Sequence, residues 1–149
     1  MTSPTLSQKE IDLLNVMLET LIPASPERGL PSAAKVGFLQ FATTKGILPK
    51  MELVLQSLQQ QARERHAADF AALVPALRLQ LLTDRTSPQA AAQSEMQTYL
   101  LQCYYQNPVV VVAIGMESRA PFPEGYHVEE GDLLLLEPVS LRGKLYRDV

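Results

Sequence analysis

The chain has one cysteine, Cys103, and two histidines, His66 and His127, among 149 residues. A single thiol excludes an intrachain disulfide and fits a reducing compartment. One cysteine and two histidines are also too few ligands for a structural zinc site. The seven glycines are scattered. None forms a G-x-G-x-x-G or Walker pattern, so the sequence holds no phosphate cradle for a dinucleotide. Basic residues never gather beyond a scattered pair, and the formal net charge is -3. Both facts argue against a nucleic-acid face and against a polybasic membrane contact. No apolar run approaches the ~20 residues of a membrane span. The start, MTSPTLSQKEID, lacks the basic and apolar regions of a signal peptide and has no twin-arginine pair. The expected location is therefore cytoplasmic as the sequence stands.

What is present is ordinary globular composition, 46% apolar and 19% charged, enough to bury a core in a single domain. Ser7-Gln8-Lys9-Glu10 reads as a capping box. Behind it Ile11, Leu14, Leu18 and Leu21 form a helical stripe, widened by Leu13 and Met17 and ended by Pro23. After the loop ASPERGLPS, Ser32 is a cap for a second helix with Ala34, Phe38 and Phe41 inward and Gly46 past its end. Pro49 suits the first turn of a third helix. Met51, Val54, Leu55, Leu58 and Ala62 keep helical spacing there, to about His66. Asp69 to Leu73 reads as a short helix or turn before Pro75. Leu77, Leu81 and Leu82 continue a helix to about Asp84. Ser87-Pro88 reads as the start of a long helix with Ala92, Met96, Leu100 and Tyr104 on one stripe.

The run PVVVVAIG has two readings. Four β-branched residues favour a strand. Asn107-Pro108 is a good cap followed by an N1 proline, and Gly115 suits a helix C-terminus. A short buried helix is the favoured reading, because a lone strand leaves its backbone unpaired unless Leu133–Leu136 supplies a partner. The expected fold class is all-α: an irregular bundle of about five to six helices with an extended Pro-rich C-terminal arm. Residues 1–149 form one helical domain on this reading, with the bundle over about 7–115 and the arm over 116–149.

Reactive constellations are scarce. Cys103 lies among Leu101, Tyr104 and Tyr105, and reads as a buried inert thiol rather than a nucleophile paired with His66. His127 beside Glu129 and Glu130 reads as a solvated group. Glu129, Glu130 and Asp132 read as solvated acids, not a cation site. Arg63-Glu64-Arg65 reads as a solvated face with an intrahelical pair. No catalytic residue, metal ligand or cofactor site is expected on this chain. Tyr99, Tyr104 and Tyr105 are either core or interface. Phe122, Tyr126 and Tyr146 fall where no helix can hide them, so they pack on their own bundle or on a partner. With Arg142 and Arg147 they form the expected partner-binding set.

Three segments resemble the small third subunit of gluconate 2-dehydrogenase and its relatives in sorbitol and glucose dehydrogenase complexes. They are LETLIP with the following Pro/Gly loop and Ser32-Ala33-Ala34, then FAALVPALRLQLL, then YYQNPVVVVAIG. The likeness runs from about Ser7 to Gly125. It implies a non-catalytic subunit that binds and stabilises a large flavoprotein of the glucose-methanol-choline type, often with a cytochrome c. The FAD is expected on that partner. Members commonly begin with a twin-arginine leader, which this sequence does not show; a periplasmic location follows if a leader was removed or the chain is exported with its partner. The arm's prolines limit its unbound conformations, so less entropy is lost on docking. The competing reading is a stand-alone binder of a small apolar ligand, in a cavity lined by Met51, Met96, Phe38 or Tyr99.

Overall fold

The structure is a computed structural model that describes residues 6–120, 122–126 and 131–143. By backbone contacts it divides into two units, Met1–Ser118 and Arg119–Val149. Among the described residues there is no strand; the sole β feature is an isolated bridge between Ser25 and Leu30. The first unit holds six α-helices: α1 (Gln8–Leu21), α2 (Phe38–Thr44), α3 (Leu48–His66), α4 (Pro75–Thr83), α5 (Ala90–Gln106) and α6 (Pro108–Ala113). The all-α bundle expected from the sequence is the fold observed.

Helix ends follow local chemistry. At α1 the Ser7 amide donates to Glu10 Oε2 at 2.8 Å, and the Glu10 amide donates back to Ser7 Oγ at 3.4 Å. This reciprocal box satisfies two donors that a helix start leaves orphaned. The valine run is helical. Asn107 Oδ1 accepts from the Val109 amide at 3.0 Å and Pro108 occupies the first turn. At the far end Gly115 N donates to Val112 O and Met116 N to Val111 O, both at 3.0 Å. That paired closure is the Schellman arrangement, and it uses carbonyls the helix end would otherwise leave unpaired.

Three local readings are corrected. The helix expected from Ser32 is interrupted: a 3-10 helix spans Ala33–Lys35 and α2 begins only at Phe38. Gly37 between them sits at φ +76°, a left-handed backbone that residues with a Cβ adopt only with strain. The long helix α5 begins at Ala90 rather than at Ser87-Pro88. Ser87 is instead buried, and its Oγ accepts from Gln61 Nε2 at 3.0 Å and from the Gln89 amide at 3.3 Å. Its hydroxyl thus takes the local amide that a cap would take and a tertiary bond from α3 as well, while the regular helix starts only at Ala90. Leu133–Leu136, the segment that a valine strand would have needed as its partner, is a 3-10 helix.

The core is centred on α3. Met51, Val54, Leu55, Leu58 and Ala62 are all buried, and α1, α4, α5 and the 3-10 turn Phe70–Ala72 pack on this helix. Leu14, Met17 and Leu18 arrive from α1, Leu81 and Leu82 from α4, Met96 and Leu100 from α5. Phe70, fully buried, fills the corner, and its amide donates to Gln59 Oε1 at 3.2 Å.

The charge run at the end of α3 is also partnered differently from expectation. Arg63 Nε reaches Asp69 at 2.9 Å and Arg65 reaches Asp84 at 2.6 Å, both beyond the helix. Asp84 Oδ1 also accepts from the Thr86 hydroxyl at 2.6 Å and the Thr86 amide at 2.8 Å. These bonds, the Thr86 hydroxyl first, hold the Asp84 carboxyl down at about 2.

In the second unit the 3-10 helix Leu133–Leu136 leads into α7 (Glu137–Ser140). Asp132 Oδ1 caps the 3-10 helix by accepting from the Leu134 amide at 3.0 Å. All four leucines, with Val139 and Leu141, are exposed.

Two outcomes are expected. In urea denaturation, Phe70→Ala lowers stability by about 3–5 kcal/mol and Asn107→Ala by about 1 kcal/mol, reflecting a large core cavity against a lost cap. For Asp84 the folded carboxyl titrates below its ordinary value, so its contribution is present above the ordinary aspartate range and lost as pH falls toward 2. Asp84→Asn therefore lowers the melting temperature at pH 7, and the difference from wild type closes on acidification. A constant difference between pH 7 and pH 2 would contradict this assignment.

Candidate functional surfaces

Around Phe38, Met51 and Tyr99 the interior of the first unit is filled. Phe38 stacks on Phe41 at 6.3 Å between ring centroids, and Phe41 lies 6.5 Å from Tyr99. The gap between Met51, Met96 and Tyr99 is about 10 Å³. That is room for roughly one water, far below the few hundred Å³ of a small-molecule site. The cavity expected for an apolar ligand is therefore occupied by side chains.

An open groove of about 730 Å³ runs along α1 and α3. Leu13, Val16 and Leu55 line it, together with Glu10, Arg63 and Asp69. Its acids are held by neighbours. Glu10 accepts from the Ser7 hydroxyl at 2.7 Å, and Asp69 from Arg63. The Ser7 hydroxyl and then its amide pull the Glu10 carboxyl below the usual range.

The titration shifts fall into two groups. Glu10, Glu27 and Asp84 are all displaced toward the ionised form by hydrogen bonds. Burial pushes the Cys103 thiol and the Tyr104 phenol up, toward their neutral forms. A general acid needs a raised carboxyl, and a nucleophilic cysteine needs a lowered thiol. Cys103 Sγ lies buried 3.7 Å from Val36 O, as a weak donor. No group of three His, Cys, Asp or Glu side chains suited to a metal occurs among the described residues. No described helix is long and apolar enough to cross a membrane.

The expected partner-binding residues lie in the second unit. Phe122 is 87% exposed. Tyr126 is engaged locally: its hydroxyl donates to Arg119 O at 2.7 Å, and the Arg119 guanidinium sits 5.4 Å from its ring centroid. Arg119 also donates to Gly125 O at 2.5 Å, closing a small loop around Phe122–Gly125. Arg142 is exposed just after α7. Tyr146 and Arg147 fall outside the described residues, as do His127, Glu129 and Glu130.

Of the three tyrosines left between core and interface, Tyr104 is buried and donates its hydroxyl to Pro31 O at 2.9 Å. Tyr99 is half-buried against the core. Tyr105 is exposed. It opens a surface that residue-by-residue reading missed: Leu101 and Tyr105 on α5, Val109 and Val112 on α6, then Ile114 and Met116, all exposed. The signal was available in the sequence, because no charged residue occurs between Glu95 and Glu117.

No curated protein and no solved structure matches the chain. A family model does, over residues 8–114, well over half of the sequence and ending within the turn that closes α6. The matched segment contains all six helices of the first unit and none of the second. The chain belongs to the family described as gluconate 2-dehydrogenase subunit 3.

Proposed function

We propose that this chain is a non-catalytic accessory subunit. It binds and stabilises a large flavin-dependent dehydrogenase that oxidises a sugar, sugar acid or alcohol. The FAD resides on that partner, and a cytochrome c completes the electron path in some assemblies. The observation that carries this reading is the family match across the entire six-helix unit. The electrostatics agree with it: hydrogen bonds hold Glu10 and Asp84 below the range of a general acid, and burial favours the neutral Cys103 thiol over the nucleophilic thiolate. The filled interior weighs against the alternative of a stand-alone ligand binder. On this reading Phe122, Tyr126 and Arg142, with Tyr146 and Arg147, contribute contacts from the tail.

Co-expression with a glucose-methanol-choline type flavoprotein dehydrogenase from the same genome is the test. The two are expected to co-purify, and the flavoprotein to melt at a higher temperature when this chain is bound. Separate elution would overturn the reading, as would oxidation of gluconate by the isolated chain with an artificial acceptor. Truncation from Pro121 onward is expected to weaken co-purification; unchanged recovery removes the tail from the interface.

A further inference from the structure

Resting on the accessory-subunit reading, we infer that the outward face of α5 and α6 is the docking surface for an uncharged, apolar face of the large partner subunit. Leu101 is 49% exposed, Tyr105 55%, Val109 59% and Val112 60%. Leu101 and Tyr105 lie one helical turn apart on α5, and Val109 and Val112 one turn apart on α6, either side of the extended Asn107 that joins the two helices.

This face is rigid before anything binds. Val110, one residue from Val109, is fully buried and pins α6 to the core. Ala113 packs toward the loop at Gly29, where a Cβ would stand 3.9 Å from the Ala113 Cβ. Asn107 and the Gly115 closure fix the two ends of α6. Tyr105 is braced edge-on by Tyr104, with ring centroids 5.5 Å apart and an interplanar angle of 87°. Tyr104 is itself tied to Pro31. Valine has little side-chain freedom to lose on docking. A rigid apolar face with a braced tyrosine is what the centre of an interface requires.

Charge identifies the occupant. The whole stretch between Glu95 and Glu117 is uncharged, so the facing surface must itself be uncharged to avoid burying an unpaired ion. An anionic membrane or nucleic acid would find no basic residue in this stretch to bind. The face lies inside the segment matched by the family model, whereas the exposed leucines of the tail lie outside it. A contact common to subunits of this family belongs in the shared segment, and the family is described as one subunit of a larger enzyme.

The test is the double variant Tyr105→Glu/Val109→Glu, co-expressed as the full chain with the flavoprotein dehydrogenase that the wild-type chain is tested against. The control is Leu79→Glu, an exposed apolar position on α4. The double variant is expected to weaken the complex by roughly 30-fold or more, the loss typical of a central anchor. The control is expected to bind as wild type. Melting of each isolated chain shows whether the variant folds. If the glutamates unfold it, the gentler Tyr105→Ala/Val112→Ala pair is read instead, with a loss of about 10-fold expected. If wild type and a folded variant bind alike, the face is not the docking surface, while the accessory-subunit reading stands. If wild type itself fails to bind, that reading falls and this inference with it. A dimer of the isolated chain that the variant dissolves, with partner binding unchanged, assigns the face to a second copy and overturns the proposal.

Discussion

Helix α3 is the element around which the first unit is organised. Seven of its side chains are buried, and three other helices and the Phe70 turn rest on it. Burying one leucine or valine contributes about 1.5–3 kcal/mol, while an exposed ion pair contributes about 0–1 kcal/mol. The pairs at its edges, Lys50 with Glu95 and Arg63 with Asp69, are solvent-exposed. They set register and solubility more than stability. Gln61 is the polar exception on the buried face. Its amide donates to Ser57 and to Ser87, so α3 also holds the loop that leads into α5. The position of α5, and of α6 after it, depends on this packing.

Much of that arrangement was legible because helices announce themselves locally. The Ser7-Glu10 box, the Asn107-Pro108 cap and the spacing of Met51 to Ala62 are short-range signals, and the structure obeys them. The misreadings share one physical cause. Ser87 looked like a simple cap, but besides the local Gln89 amide its hydroxyl also accepts from Gln61, distant in sequence. Arg65 looked like an intrahelical partner, but Asp84 offered a carboxylate already oriented by Thr86. Tertiary partners decide such polar side chains, and nothing within a short window reveals them. Gly37 is different: its break was local, yet a glycine in a helical pattern is tolerated often enough that the break did not stand out.

The functional surface was half legible. Composition showed that the segment around PVVVVAIG is apolar. It could not show which valines face inward, because four identical residues carry no periodicity. Only the docking of α6 separates Val110, buried, from Val109 and Val112, exposed. The tail was expected to hold the anchors because its aromatics had no helix to hide in. The structure shows Tyr126 turned to its own loop through Arg119, which leaves Phe122 as the more available ring.

A surface of this kind carries a cost that constrains the protein. An exposed apolar face favours nonspecific association until it is covered. Placing charge within it would raise solubility and weaken the interface at once, since a buried ion must find a partner. The chain keeps its charges elsewhere, giving a net charge of -3 and leaving the α5–α6 stretch bare. Rigidity then limits the hazard. A face locked by Asn107, Val110 and the Gly115 closure cannot remould itself to fit many surfaces. On the docking proposal it favours a partner whose shape already matches, and specificity then comes from fixed geometry rather than from a pattern of charges.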